Sequence, residues 1–405
     1  MSSTHVNSTQ FDSCLYVSIE LSKSNWKLAF VTVSSSKFRL VDLKAGDFFR
    51  LESEFIKAKQ HFGLALDAPV VSCYEAGRDG FWIHRKLTSI KVTNFVIESS
   101  SLEVDRRQKQ RKTDRLDARK MVFALRRYHH QAEQSALRPI RVPSPQDEDL
   151  RNLQRCLQSV RREKRRLMTR IKGLLFAQGI CLEQIDSDFE SFVDHARTGD
   201  GRDLGKYLAQ SLKLDFQRLQ LCVSQIRNLE SQRAKLIRSA NQDTPQQVTS
   251  DSVEVADRLL DLRGIGAETA WTLSTELFSW RQFRNRKQLA ALVGLVPTPF
   301  SSGQLNREQG ISKSGRSELR ALLVEVSWLW LRYQPESRLS RWYEQKVRGQ
   351  GKRVRRIAIV ALARKLLIAL WKYSMRGEVP DNVIFKTDQQ KRRLPMTKSL
   401  GGAMK

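Results

Sequence analysis

The chain changes its hydrophobic period at a run of prolines, Pro139, Pro143 and Pro145, and that change limits the folds open to it. Before the prolines, short apolar runs are bounded by turn residues. Leu15 to Leu21 and Trp26 to Val33 read as strands joined by the polar Ser22-Lys23-Ser24-Asn25, with Phe38 to Leu43 as a third. Val70 to Tyr74 reads as a buried strand, Phe81 to Leu87 as a helix, Lys91 to Ile97 as a further strand and Thr113 to Arg127 as a helix. Hairpin strands followed by strands alternating with helices predict an α/β layer domain over 14–138.

After the prolines the spacing becomes 3–4. Leu150, Leu153, Leu157, Val160, Leu167, Ile171 and Leu174 keep it, and Leu219, Cys222, Ile226, Leu229 and Leu236 repeat it. Over 146–240 this predicts a helical coiled-coil region, either a hairpin packed within one subunit or an oligomerising coil, with a polar loop at 186–206. Asn241 to Asp251 is a polar linker. A mainly helical domain is expected over 252–375, and a basic, disordered tail over 376–405.

Lysine and arginine outnumber aspartate and glutamate 71 to 43, a formal charge of +28 that suits a polyanionic partner. Charge alone separates neither DNA from RNA nor a binding protein from an enzyme. No apolar run reaches the roughly 18 residues of a membrane span, and Met1 to Gln10 lacks the apolar core of a signal peptide. The five cysteines are scattered without paired spacing, which argues against a disulfide framework or a zinc site and for a reducing cytoplasm.

Within this basic chain Asp114 and Asp117 lie three residues apart, hence on one face of a helix. Two like charges so placed favour a cation between them, and a hard divalent ion such as Mg²⁺ suits oxygen ligands. A salt-bridged helix surface is the other reading, since Arg111, Arg115 and Arg119 are close. Glu20 stands near the end of the first strand and Glu75 directly after the run Val70 to Tyr74. Acids delivered by two strands and a downstream helix pair are the arrangement of ribonuclease-H-like nucleases.

Local strings around these acids resemble those of the DEDD transposases of the insertion-sequence-110 family, to which the pilin-inversion invertases are related. Ile19-Glu20-Leu21-Ser22-Lys23 is similar to the family's Ile-Asp-Val-Ser-Lys string, with Glu for Asp, a change that moves the carboxylate by about 1.5 Å. Glu75-Ala76-Gly77 is similar to Glu-Ala-Thr-Gly with one position missing, and Lys112 to Ala118 matches Lys-Thr/Ser-Asp-x-x-Asp-Ala throughout.

Further on, Leu259 to Ala270, with Gly264 and Gly266, reads as a helix-hairpin-helix that can hold a phosphate, or as a structural helix pair. Gly294-Leu295-Val296-Pro297, Ser302-Gly303, Ile311-Ser312-Lys313-Ser314-Gly315 and Arg320 come in the order of the same family's carboxy-terminal domain. Trp328, Trp330 and Tyr333 sit at helical spacing, as core residues or base-stacking groups.

The resemblance covers about residues 14 to 375. It implies a ribonuclease-H/RuvC-like first domain, and an enzyme that cuts and rejoins DNA through a serine–DNA link. The serine maps to Ser302, with Ser301 beside it, and Mg²⁺ (or Mn²⁺) would be held by Glu20, Glu75, Asp114 and Asp117. Nucleic-acid contacts are expected from Arg106, Arg107, Lys109, Arg111, Lys112, Gly264, Gly266, Lys313 and Arg320. Implied partners are donor and target DNA, a structured guide RNA and further copies of the chain as a dimer or tetramer. The implied location is the nucleoid-containing cytoplasm of a bacterium or archaeon. The alternatives are a hydrolytic junction-resolving nuclease using the same acids, and an inactive nucleic-acid-binding homologue.

Overall fold

A computed structural model describes residues 13–35, 37–98, 114–239, 250–302 and 305–387, without the side chains of 114, 115, 239, 299–302 and 305–309. The chain forms two compact units, Met1–Val142 and Pro143–Lys405.

In the first unit, β1 (Leu15–Glu20), β2 (Asn25–Thr32) and β3 (Arg39–Lys44) form an antiparallel meander. Next come α1 (Phe48–His61), β4 (Val70–Glu75), α2 (Trp82–Ser89) and β5 (Thr93–Ile97), with β4 parallel to both β1 and β5. The five-stranded sheet has the order β3-β2-β1-β4-β5. Because successive strand residues face opposite sides, β1 serves two cores. Leu15, Val17 and Ile19 pack with Leu51, Phe55, Ile83 and Leu87 of α1 and α2. Tyr16 faces the other way, with Val71, Cys73 and α3 (Asp114–His129) through Ala118, Met121, Val122 and Leu125. A mixed sheet covered by helices on both faces results.

Sequence spacing did not announce α1, whose Leu51, Phe55 and Ala58 form its buried stripe and whose Asp47 side chain accepts from the Arg50 amide.

The second unit is largely helical. α4 (Pro145–Phe176) and α6 (Lys206–Ser239) run antiparallel, as the pairs Arg161–Glu230 and Arg170–Asp215 show. The polar segment between them holds a short helix, α5 (Phe189–His195), whose Phe189 and Val193 close the distal core. At the other end Leu150, Leu153, Leu236 and Ile237 enter the core of the carboxy-terminal helices. The helix pair expected as a separate region is therefore rooted in the same unit as those carboxy-terminal helices.

The remainder of the unit comprises α7 (Asp251–Leu260), α8 (Ala267–Leu273), a π-helical turn at Ser274–Phe278, α9 (Arg286–Leu292), the hairpin β6 (Pro297–Ser302) and β7 (Leu305–Ile311), then α10 (Ser317–Tyr333), α11 (Arg338–Val347) and α12 (Lys352–Arg376). The β6–β7 hairpin interrupts this mainly helical domain at a place where the sequence shows no strand signal. Residues 377–387 are not a loose tail: Leu262 and Phe385 form a β-bridge, and Lys386 N–H donates to the Asp261 carbonyl at 2.8 Å. Among the described residues no helix is long and apolar enough to cross a membrane.

Candidate functional site

Glu20 ends β1 and Glu75 ends β4. The parallel register pairs Ile19 with Tyr74, so the two acids stand side by side at the carboxyl edge of the sheet. Glu20 shares strand parity with Tyr16, and Glu75 with Val71 and Cys73, so both lie on the face that α3 covers. They line one open cleft of about 470 Å³ together with Ser22, Lys23, Arg78 and Asp79. The rim is held locally: Tyr74 Oη donates to the Gly80 carbonyl at 3.0 Å, and Ala76 N–H donates to the Ile97 carbonyl at 2.8 Å.

The direction of α3 decides where its aspartates go. Ser18 Oγ, buried and two residues before Glu20, donates to the Ala118 carbonyl at 2.7 Å. At the other end, Arg126 donates to the Ser35 carbonyl at 2.8 Å, and Tyr16 Oη lies 3.1 Å from His129 Nδ1. The helix thus runs back along β1 and begins at the carboxyl edge, where Asp117 directly precedes Ala118. Fully buried Ala118 packs that first turn onto the sheet, which a larger residue would lift away.

Three predicted acids, Glu20, Glu75 and Asp117, are thereby brought to one edge and face of the sheet. The fourth, Asp114, opens α3, and its side chain lies outside the described residues. Among the described residues no group of three or more His, Cys, Asp or Glu side chains is close enough to hold a metal ion. The donor chemistry nevertheless fits a hard divalent cation, which one or two protein carboxylates hold together with water and phosphate oxygens, and Glu20 and Glu75 open on a single cleft. Sequence reasoning missed Asp79, Lys23 and Arg78 as cleft residues. The available signal was their closeness to Glu20 and Glu75, which becomes proximity only because both strands end together.

The basic stretch Arg106, Arg107, Lys109, Arg111 and Lys112 lies outside the described residues. Ser301 and Ser302 are the last residues of β6, paired in register with Asn306 and Leu305, so Ser302 closes the strand at the tip of a hairpin; their side chains lie outside the described residues.

The base of that hairpin is clamped. Ser312 N–H donates to the Val296 carbonyl at 2.8 Å, and the Arg320 guanidinium donates to the carbonyls of Val293 and Lys313, each at 3.2 Å. Arg320, expected at a phosphate, spends these donors holding two backbone segments together. Lys313 is different: it is exposed, makes no ion pair among the described residues, and has a left-handed backbone with φ +53°. Such strain in a non-glycine residue accompanies functional positions.

The turn between α7 and α8 contains Gly264 at φ +91° and Gly266 as the residue before α8. The chain itself occupies much of this turn's polar backbone. Arg263 N–H donates to the Ile384 carbonyl at 3.1 Å, and Lys386 Nζ donates to the carbonyls of Leu260 and Ile265 at 2.7 and 2.6 Å. Of the aromatic trio, Trp330 is fully buried with its indole N–H on Ser337 Oγ, whereas Trp328 is half exposed against Tyr343.

The family described as "Transposase IS116/IS110/IS902 family" matches residues 256–341, from α7 into α11. Over 378 residues the chain is 36% identical to the putative transposase y4rJ of Sinorhizobium fredii, covering 92% of this chain and 95% of that one. It is 37% identical over 130 residues to the transposase for insertion sequence element IS1328 of Yersinia enterocolitica, 31% and 37% of the two chains. A third similarity, 25% over 272 residues, is to the transposase for insertion sequence element IS1111A of Coxiella burnetii, 67% and 68% of the two chains.

Proposed function

The chain belongs to the IS116/IS110/IS902 family of transposases, and from that premise we propose that it exchanges DNA strands through a covalent link between Ser302 and a DNA phosphate. The observation that carries this reading is the meeting of Glu20 and Glu75 in one cleft, on the face to which α3 brings the Asp114/Asp117 turn. The strand order β3-β2-β1-β4-β5 supports a ribonuclease-H/RuvC-like first domain.

In this reading Glu20, Glu75, Asp114 and Asp117 would hold Mg²⁺ (or Mn²⁺), which when bound would supply Lewis-acid polarisation and neutralise phosphate charge. Ser302 attacks the phosphorus, a Ser302 Oγ–P bond forms, the P–O bond to one side of the strand breaks, and that oxygen leaves as a hydroxyl. A hydroxyl from the partner strand then attacks the phosphoserine, restoring a phosphodiester and returning the proton to Ser302. A hydroxyl is a weak nucleophile, so its seat at a hairpin tip, over a base clamped by Arg320, serves positioning. Lys313 contacts phosphate. Pairing with a structured guide RNA supplies sequence choice while the basic protein reads backbone. Exchange between two duplexes needs several active centres, hence a dimer or tetramer.

Ser302→Ala provides the test, with labelled supercoiled or junction DNA and Mg²⁺. Loss of both cleavage and the denaturation-resistant protein–DNA adduct is expected, a fall in rate of at least about 10³-fold. A variant that still cuts would replace this reading with a hydrolytic nuclease using the same acids and water. An unaltered chain that binds DNA yet neither cuts nor joins it would indicate a homologue with a decayed site, Glu20 standing in the place of the family's aspartate.

A further inference from the structure

The eleven residues Lys346 to Arg356 contain six cations and no acid: Lys346, Arg348, Lys352, Arg353, Arg355 and Arg356. They span the end of α11, a four-residue turn and the first turns of α12, just beyond the stretch that the transposase family matches. All six are exposed, and none makes an ion pair among the described residues. Some basic side chains near other helix ends in this unit are neutralised, as with Arg338 on Asp381 and Lys372 on Glu378.

Folding stability does not explain this arrangement. The positive end of a helix dipole disfavours cations, by about 0.3–1 kcal/mol each. Two helices of the unit follow that rule: α4 and α7 begin with serine caps and carry Asp147 and Glu148, or Asp251 and Glu254, in their first turns. α9 and α11 lack an acid there but keep side-chain caps, Asn285 and Ser337; α12 has neither, and begins after Gly351. The turn is also open. A Cβ placed on Gly349 or Gly351 would meet nothing within 4 Å, so a bulky backbone has room to approach. The opposite side of α12 is fixed, with Ala358, Ile359 and Leu362 packed against Tyr343, Leu339 and Trp342. A rigid base therefore presents the cations.

We propose that this α11–α12 surface docks the sugar-phosphate backbone of duplex DNA. Cations without ion pairs among the described residues, in a stretch from Lys346 to Arg356 that contains no carboxylate, complement a polyanion. Duplex DNA is the occupant because a transposase must hold it, and because cationic contacts to phosphates position a duplex without reading its sequence. The assignment does not depend on which group is the nucleophile.

The test is a triple substitution in the full chain, R353Q/R355Q/R356Q, with binding to a duplex of arbitrary sequence measured by fluorescence anisotropy across a salt series. Each lost phosphate contact lowers the slope of log affinity against log salt by about 0.9. A drop of about 2–3 is expected, with binding about 10- to 100-fold weaker near 0.1 M salt. The thermal midpoint should not fall, since the helix start is relieved of like charges. A control triple, R197Q/R202Q/K213Q, removes the same net charge from side chains already paired with Asp203, Asp200 and Asp194. An unchanged slope in the first triple would overturn the proposal. So would an equal change in the control, meaning that only overall charge matters, or a loss confined to a single-stranded RNA probe.

Discussion

Gly294 and Gly315 stand in two motif strings about twenty residues apart, and each is packed against the other's string. A Cβ on Gly294 would overlap the Ser314 carbonyl oxygen and crowd Arg320; one on Gly315 would overlap the Leu292 carbonyl oxygen. Both also have left-handed backbones, φ +70° and +93°. The strings were legible in the sequence, but their reason was not, because nothing local says that two turns touch through bare backbone. Gly310, at φ +84° with open space around it, isolates the backbone part of this effect. Gly310→Ala is expected to cost about 1 kcal/mol, whereas Gly294→Ala combines that strain with a backbone clash and should exceed about 3 kcal/mol. Urea midpoints of the two variants check this, and equal losses would show that the close approach does not exist.

Between residue and domain, buried ion pairs join elements that the sequence does not connect. Glu276, on the π-helical turn and 1% exposed, accepts from Arg316 at the head of α10 and lies 3.6 Å from Arg151 and 3.3 Å from Arg155 of α4. Burial alone would raise its pKa; the three guanidinium groups, Arg316 first, outweigh burial and hold it below its ordinary value of 4.5. Glu268, facing Arg233 and Arg161, is lowered in the same way, again against burial. A depressed folded-state carboxyl stabilises the fold above the unfolded value and loses that contribution as pH falls through the folded one. The melting temperature should therefore drop as pH is lowered from about 4.5, with Glu276 and Glu268 among the causes. Glu276→Gln should destabilise by about 3 kcal/mol at pH 7, since buried Arg151 keeps its charge without a partner. That gap should narrow toward pH 3; a constant gap would mean that charge plays no part. None of these links could be read beforehand. The periodic leucines of α4 and α6 announced two helices because each repeats one local rule many times. The β6–β7 hairpin escaped notice because Pro297, Pro299 and Gly310 look like loop, and the strap at Lys386 lies 126 residues from Leu260, its acceptor.

At the scale of the molecule, no hydrophobic cluster among the described residues crosses the division at Val142. Both cores of the first unit end at or before that residue, and the three cores of the second begin after it. The succession of an α/β domain by a largely helical region was the most legible feature of the sequence, since a change of hydrophobic period is a change of architecture. The acid cleft also belongs wholly to the first unit: β1 and β4 supply Glu20 and Glu75, and α3, on the same face of the sheet, belongs to that unit too. A domain of this length is ordinary for independent folding, and its sheet edges are protected. Arg138 and Ile140 hydrogen-bond to Glu98 and Val96 beside β5, while β3 carries Arg39, Asp42 and Lys44 on the opposite edge. A fragment of residues 1–142 should therefore be monomeric, give well-dispersed amide NMR signals and unfold in a single cooperative transition. Its stability should also fall as pH drops from about 4.5, since Arg39 and Lys57 hold the Glu54 carboxyl below its ordinary value against burial. The fall should be less steep than that of the full chain, which adds Glu268 and Glu276. A fragment that stays expanded, or that acquires the full chain's acid sensitivity, would show that the two units do not fold as separate bodies.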